Sequence, residues 1–394
     1  MYNINFNHLK IFIYILLLIF LTKNSWSYQN NVEINDLENF CGKHSKKFLS
    51  NNIEQADSLE INFNNNRSWI KNAMRVRTSG SNNILEKFKK RFKATLKINY
   101  KNNISCTFEA AIRQHGDKMD HINYKDGQFR QSLDVELKEG NIFGITEFKL
   151  INPESRNRKN ELIFINILRK IGLLAPRSFY IKAKVIGQEV EYIFQEKIVK
   201  EFLENSNLRE GPLIEGDERS MWVHSKSEDY SKKYITLTKL RNNKWSKKNI
   251  ENFYISLDGL AYLNLLYFNH FENVNFKNIN FSNVKISENT YENSNKIFEA
   301  LMVAANGFHG LAHHNRVFYL NPITYEIYPI YYDGEIEFKK RDYFAPARLN
   351  SIQGSRNTIN LLKSINIQSI KKNLNDKYNN FSSKDVSKII NILI

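Results

Sequence analysis

The chain has 394 residues, of which 42% are hydrophobic and 13% aromatic, and its formal net charge at pH 7 is +16. This apolar content is enough to build a core, so a wholly disordered chain is excluded. The length suits one large domain or two small ones.

The N-terminus has the pattern of a secretory signal peptide. Lys10 precedes an apolar run over residues 11–21, and Ser25-Trp26-Ser27 supplies the small residues that a signal peptidase reads. The run is about half as long as the roughly 20 residues needed to span a bilayer. We therefore expect residues 1–27 to be cleaved and the protein to be secreted or periplasmic. An uncleaved membrane anchor is the alternative.

The positive charge bears on the kind of partner. It falls from +16 to +14 if Lys10 and Lys23 leave with the signal peptide. Nucleic acid is the usual partner of such a charge, but export separates a chain from most nucleic acid. We expect no nucleic-acid partner, and a membrane partner only if the N-terminal segment stays uncleaved.

Two cysteines, Cys41 and Cys106, are present. Export makes a disulfide between them possible, and it would tie the N-terminal segment to the first strands. Two separate thiols are the other reading, and the sequence leaves this open.

The first half of the chain is predicted to be rich in strands. Residues 28–82 form a polar, Asn-rich arm with a helix over 36–49, and a basic helix follows over 83–92. Alternating apolar residues, a helical period that ends at Gly172, and the turn Gly187-Gln188 predict the remaining elements. These are strands over 94–100, 105–113, 131–138 and 148–151, a helix over 158–171, and a hairpin of 179–186 with 189–198.

The second half is predicted to be rich in helices around one hairpin. Residues 247–268 and the segment after Thr358 have helical periodicity. The hairpin joins strands near 317–319 and 327–332 through the turn Asn321-Pro322-Ile323-Thr324. The predicted fold class is therefore α+β, with strands first and helices second.

A hairpin brings its two ends together, and here the ends carry Asn315 and Asp333. Amide and carboxylate oxygens at the open end of a hairpin are suitable ligands for a divalent cation. Protein kinases hold Mg²⁺ on ATP with an Asn and an Asp.

Several blocks occur in an order typical of one protein family. They are Arg113-Gln114-His115-Gly116-Asp117, Phe143-Gly144, Gly172-Leu173-Leu174-Ala175-Pro176-Arg177, Gln195-Glu196-Lys197, Arg209-Glu210-Gly211-Pro212, His314-Asn315-Arg316 and Asp333-Gly334. Over residues 105–345 the chain thus resembles the CotH (spore-coat protein H) kinase-like family. The resemblance implies an atypical protein-kinase-like two-lobed fold over 83–394, with an N-lobe over about 83–200 and a C-lobe over about 201–394.

The resemblance also implies an activity, namely Mg²⁺-dependent or Mn²⁺-dependent transfer of phosphate from ATP to Ser or Thr hydroxyls of an exported protein. Asp333 is the first metal-ligand candidate and Asn315 the second. Lys149 is the candidate for binding ATP phosphates, and Glu161 on the following helix is the candidate for orienting it. The alternative is that Lys149 and Glu161 are solvated surface charges.

Three further residues are candidates for nucleotide contacts. Arg113 and Gly116 follow a strand and belong to a loop that could cover the phosphates, although a simple turn fits equally well. Glu196, at the end of a hairpin strand, is the candidate for a contact with ribose or adenine.

The expected catalytic base is missing. The family usually places an Asp shortly before the His-Asn pair, whereas this chain has Asn306-Gly307-Phe308 there. His309 is the nearest substitute for accepting the proton of the substrate hydroxyl. A catalytically impaired pseudokinase or an exported binding or scaffold protein is therefore the main alternative. A metal-dependent hydrolase, with His309 and His313 as zinc ligands four residues apart, is a minor one.

Overall fold

The computed structural model describes residues 41, 56–81, 83–101, 104–125, 128–157, 159–217, 237–272, 288–338, 349–373 and 383–394. The expected signal peptide over 1–27 lies outside these residues. So does the expected helix over 36–49, apart from Cys41.

A closed barrel of seven strands forms the first half of the described chain. Its strands, in spatial order, are β1 (Ala56–Phe63), β2 (Phe92–Tyr100), β3 (Ser105–Gln114), β6 (Leu133–Leu137), β7 (Glu147–Ile151), β9 (Gln188–Glu196) and β8 (Ser178–Val185). Neighbouring strands are antiparallel except β1 and β8, whose parallel pairing closes the barrel. A separate hairpin of β4 (Ile122–Lys125) and β5 (Gln128–Gln131) precedes β6.

Alternate side chains fill the barrel interior. Phe148, Phe179 and Phe194 are fully buried, and the ring of Phe194 stacks on the other two at 4.4 and 4.6 Å. Because successive side chains of a strand point to opposite faces, the residues between them lie on the outside of the barrel. Lys149 is one of these, between the inward-facing Phe148 and Leu150.

Two elements lie within the segment that we expected to be a polar arm. β1 contributes Leu59, Ile61 and Phe63 to the barrel core, and helix α1 (Asn66–Arg77) follows it. The helix expected over 83–92 is wrong, since the only helical turn there is the short 3₁₀ helix Glu86–Phe88. Its apolar residues are too few to form a stable helix of their own.

The expected two-lobed, protein-kinase-like fold is wrong. The strands of the first half close into a barrel, and the second half contains a sheet of its own among the helices. The physical reason is β1, which pairs with β2 on one side and with β8 on the other. β1 was not predicted from the sequence, and without it no strand joins β2 to β8 to close the barrel.

The second sheet has four strands in the order β11 (Thr238–Leu240), β10 (Leu213–Gly216), β12 (Val317–Leu320) and β13 (Ile327–Ile330). β12 and β13 form the hairpin predicted from the sequence, with Val317 opposite Ile330. Tyr331 continues from β13 and donates its backbone N–H to the carbonyl of Leu174 at 2.9 Å. This contact links the second sheet to the chain that leads into the barrel strand β8.

Helices surround both sheets. They are α2 (Lys159–Lys170), α3 (Lys200–Asn205), α4 (Asn243–Ser246), α5 (Ile250–Glu272), α6 (Glu288–Ala304), α7 (Leu349–Lys363), α8 (Ile367–Asn373) and α9 (Ser383–Leu393). A core shared by α2, α6 and the C-terminal helices also contacts the outer face of the barrel through Ile151, Tyr180 and Ile193. Within the described residues, no helix combines the length and apolar character needed to cross a membrane.

A disulfide joins Cys41 to Cys106 on β3, with an S–S distance of 1.99 Å and a Cα–Cα distance of 5.4 Å. The two residues are 65 positions apart in sequence. The bond therefore attaches the chain that precedes β1 to the wall of the barrel.

We expect this disulfide to stabilise the protein by about 2–4 kcal/mol, because it restricts the unfolded chain. Reductant should lower the free energy of unfolding of the wild type by that amount, as measured by urea denaturation. The double variant Cys41→Ser/Cys106→Ser should show the lower stability from the start and no response to reductant. Equal wild-type stability with and without reductant would contradict the expectation.

Candidate functional site

The candidate site lies where the outer face of the barrel meets the chain that leaves β13. β7 contributes Lys149, the 3₁₀ helix Pro153–Arg156 after β7 contributes Arg156, and the chain after β13 contributes Tyr332 and Asp333. A further 3₁₀ helix, Phe308–Leu311, contributes His309. Distant parts of the sequence thus bring charged side chains to one place.

The ammonium of Lys149 is nearly buried on the outer face of the barrel. Its exposed fraction is 5%, and among the described residues no carboxylate forms an ion pair with it. The ammonium lies 4.8 Å from the centre of the Tyr332 ring, and the guanidinium of Arg241 lies 5.6 Å from the same ring. Burial, followed by the positive charges of Arg241 and Arg156, lowers the pKa of Lys149 to about 7. An anion bound beside Lys149 would favour the charged ammonium over the neutral amine.

The carboxylate nearest to Lys149 along the sheet is already neutralised. Asp134 stands opposite Lys149 in the β6–β7 register, but it pairs with Arg91 and Arg113 at 3.1 Å and with Lys197 at 3.5 Å. Burial alone would raise the pKa of Asp134, and these cations lower it below its usual value. Asp134 is thus shared by three cations, and no ion pair joins it to Lys149 in the described part of the chain.

Arg156 and Asp333 form an ion pair at the centre of the site. Arg156 Nη1 lies 2.7 Å from Asp333 Oδ1, with 8% and 17% of the two side chains exposed. The contact is an ion pair without the alignment of a hydrogen bond. Although burial alone would raise the pKa of Asp333, Arg156 and then His309 lower it, so the carboxylate is charged at neutral pH. The pair joins the end of β7 to the end of β13.

Glu161 lies in the first turn of α2 and is completely buried. Its Oε2 accepts a hydrogen bond from the Tyr331 hydroxyl at 2.6 Å, while its Oε1 has no hydrogen-bond partner among the described residues. Burial raises the pKa of Glu161 to about 7, although Arg156 and the Tyr331 hydrogen bond oppose the rise. In the described structure no ion pair joins Glu161 to Lys149. Glu161 instead supports the chain that carries Asp333.

His309, Asp333 and Glu335 bring potential metal ligands together. Their ligand atoms all lie within 4.8 Å of one another, and His309 Nε2 is 3.9 Å from both Asp333 Oδ2 and Glu335 Oε1. Asp333 and Glu335 have left-handed backbone conformations, with φ of 45° and 51°. Gly310 allows the His309 loop to approach this chain, because a Cβ there would lie 3.0 Å from the Tyr332 carbonyl oxygen.

Asn315, the second metal-ligand candidate, has a different contact. It is buried, and its amide nitrogen donates to the carbonyl oxygen of His309 at 3.0 Å. Asn315 therefore holds the loop on which His309 lies. His313 lies on a separate 3₁₀ turn, His313–Asn315, so the helical spacing that the zinc-hydrolase reading requires is not formed.

The loop predicted to cover phosphates is held by local contacts. Arg113 forms two hydrogen bonds with Asp134, at 3.3 and 3.1 Å. Gly116 has φ of +99°, and a Cβ there would lie 2.0 Å from the His121 ring. The close packing of His121 thus accounts for this glycine without a phosphate.

Both carboxylate oxygens of Glu196 accept hydrogen bonds from protein side chains. Arg177 donates to its two oxygens at 3.0 and 2.9 Å, and Asn205 donates to Oε1 at 2.9 Å. Both members of the Arg177–Glu196 pair are at most 4% exposed. This arrangement is a buried ion pair that fixes β9 beside β8, and it leaves Glu196 little room to contact a ribose or an adenine.

Sequence reasoning missed Arg156, Arg241, Tyr332 and Glu335 as members of the site. Glu335 lies two residues after Asp333, and this spacing was a signal that could have been used. Arg156 and Arg241 had no such signal, because only the folded chain brings them beside Tyr332 and Asp333.

Comparisons with protein-family models and with curated proteins found no match for this chain. Two cavities of about 160 and 430 Å³ lie against α1 and beside Asn152 and Glu154, and their lining residues include none of the candidate site residues named above.

We expect Glu196→Gln to destabilise the protein by about 3–5 kcal/mol, because it leaves the buried Arg177 unpaired. Thermal or urea unfolding measures the loss. Glu189→Gln, at an exposed position of the same strand, is the control and should change stability by no more than about 0.5 kcal/mol. Unchanged stability of Glu196→Gln together with weaker nucleotide binding would favour a ligand contact instead.

Lys149 should make stability depend on pH. Its pKa of about 7 in the folded protein lies below the roughly 10.4 of an unfolded lysine. The unfolded chain therefore binds more protons between these values, and folding becomes more favourable as pH rises. The cost of burying the ammonium is complete below pH 7 and absent above about pH 10.4.

Lys149→Met should thus be more stable than the wild type, by about 2–4 kcal/mol, at pH 6–7, and the gain should vanish near pH 10. Urea unfolding at pH 6, 8 and 10 measures this. Lys184→Met, at an exposed position on β8, should differ from the wild type by the same small amount at every pH. A pH-independent effect of Lys149→Met would show that the buried ammonium costs nothing.

Proposed function

We propose that this site binds a nucleoside triphosphate together with a divalent cation and transfers phosphate to Ser or Thr hydroxyls of an exported protein. Lys149 binds the phosphates, and Asp333 binds the cation. The residue blocks that resemble the CotH kinase-like family support the same activity. The proposal concerns the site and its chemistry, and it does not depend on a kinase fold.

The observation that carries the proposal is the nearly buried ammonium of Lys149, which lies near Asp333 and forms no ion pair with a carboxylate of the described residues. A polyphosphate carries several negative charges, and phosphoryl transfer needs cationic groups and metal ions that stabilise them. Lys149 supplies one from the protein, and the guanidinium of Arg241, which pairs with Glu215 at 2.9 Å, lies near the same Tyr332 ring. An ion on Asp333 would supply the second. An ammonium that already had a carboxylate partner would give no such preference for an anion.

A binding protein without phosphoryl transfer is the second candidate, and the position of Asn306 favours it. Asn306 stands near the point where the resemblance implies a catalytic Asp. Its amide donates to the carbonyl oxygen of Glu337 at 2.7 Å, so the residue has a structural contact. His309 is the remaining base candidate, and its Nε2 faces two carboxylates at 3.9 Å.

A thermal-shift titration with ATP and Mg²⁺ or Mn²⁺ tests binding. The wild type should be stabilised by the nucleotide–metal pair, by about 2.7 kcal/mol at a ligand concentration 100 times Kd. Lys149→Met should lose this stabilisation, because the phosphates lose their buried cation. Lys184→Met should keep it. No stabilisation of the wild type by any nucleotide–metal pair would end the proposal.

Incubation with γ-labelled ATP separates the two candidates. A kinase should incorporate label into itself or into an added protein, and Asp333→Asn should abolish the incorporation. Nucleotide binding without incorporation would support the binding protein. Incorporation that survives Asp333→Asn would refute Asp333 as an essential metal ligand.

A further inference from the structure

The group of His309, Asp333 and Glu335 contains one nitrogen ligand and two carboxylates. Mg²⁺ binds through oxygen and demands near-ideal octahedral geometry. Imidazole nitrogen favours first-row transition metals, whose affinity for such ligands rises from Mn²⁺ towards Cu²⁺. The chemistry of this group therefore differs from the Asn and Asp oxygens that the sequence suggested.

We propose that His309, Asp333 and Glu335 form a metal site that selects a transition-metal ion such as Mn²⁺ over Mg²⁺. The inference deepens the proposed function, on which it rests in assigning the ion to the nucleotide. It gives His309 the role of a ligand and not of the base.

The two oxygens of Asp333 have different surroundings, which supports this assignment. Arg156 lies 2.7 Å from Oδ1, whereas Oδ2 faces His309 Nε2 at 3.9 Å. The guanidinium thus fixes the orientation of the carboxylate and leaves one oxygen directed at the histidine. Second-shell contacts of this kind orient metal ligands in known sites.

Contacts with other protein groups also fix the position of the loop that carries His309. The Asn315 amide donates to the His309 carbonyl oxygen, and Gly310 packs closely against Tyr332 and Gly334. Ligand atoms within 4.8 Å of one another need only small side-chain rotations to reach the roughly 2.0–2.2 Å distances of nitrogen and oxygen ligands. Glu335 is half-exposed, with Lys118 3.9 Å away, so it can make the largest of these movements.

Neighbouring charges limit the affinity without removing the preference. Arg156 and Lys149 repel any cation, whereas Asp333 and Glu335 attract it. These effects act on all divalent ions alike, because they depend on charge. The nitrogen of His309 is the ligand of this group that favours Mn²⁺ over Mg²⁺, so a change at this residue should alter selectivity as well as affinity.

Titration of the wild type with Mn²⁺ in the absence of nucleotide, followed by electron paramagnetic resonance of the free ion, tests the site. We expect saturable binding of Mn²⁺, with Mg²⁺ competing only at a concentration at least about tenfold higher. His309→Ala should weaken Mn²⁺ binding by about tenfold or more and leave the weaker Mg²⁺ binding within about twofold.

His314→Ala is the matched control. Its ring lies 6.2 Å from the His309 ring and is not part of the ligand group, so Mn²⁺ affinity should stay within about twofold of the wild type. Equal competition by Mg²⁺ and Mn²⁺, or unchanged Mn²⁺ affinity in a folded His309→Ala variant, would overturn the inference.

The design separates this inference from the proposed function. Binding of Mn²⁺ without any response to nucleotide would leave the metal site standing and remove the phosphate site. Nucleotide binding with no preference among metals would leave the phosphate site standing and remove the selective metal site.

Discussion

The ion pair between Arg156 and Asp333 determines the geometry of the candidate site. Arg156 comes from the chain that leaves the barrel strand β7, and Asp333 comes from the chain that leaves the second sheet, so the pair connects the two halves of the molecule. It is well shielded from water, and separating its members would leave two nearly buried charges. The positions of Tyr332 and Glu335 follow, because one directly precedes Asp333 and the other lies two residues after it.

This connection explains how a β-barrel and a helical layer can share one site. The barrel uses its inner face for a core of aromatic rings, and its outer face on β7 carries Lys149 towards the second half. Tyr332 then covers the ammonium at 4.8 Å. Among the residues that the structure describes, no carboxylate forms an ion pair with this nearly buried ammonium, which costs stability and is expected of a group with a binding role.

Much of the secondary structure could be predicted from local pattern. The strands β2, β3, β6 and β7, the hairpin of β8 and β9, helix α2 and the hairpin of β12 and β13 have clear periodicities. β1 was missed because it lies in an Asn-rich segment where its four apolar residues give little signal. Its pairing with β8 joins residues that are more than 120 positions apart, and that pairing decides the fold class.

The site was predictable only in part, because some of its residues come together only through contacts between distant parts of the sequence. Lys149 and Asp333 could be chosen because each has a recognisable local context, at a strand and at a hairpin end. Glu196 was misleading, since its local context does not reveal that Arg177 would occupy both its oxygens. Arg156 and Arg241 reach the site through the tertiary fold alone, and no spacing in the sequence announces them.

The central claim is that Lys149 is kept ready for an anion, and proton uptake on nucleotide binding tests it most directly. At pH 8 a lysine with a pKa of about 7 is mostly neutral, and a bound polyphosphate should draw a proton onto it. Calorimetry of ATP binding at pH 8, in two buffers of different ionisation enthalpy, should show uptake of close to one proton by the wild type and none by Lys149→Arg. Wild-type binding heats that are the same in both buffers would contradict the account.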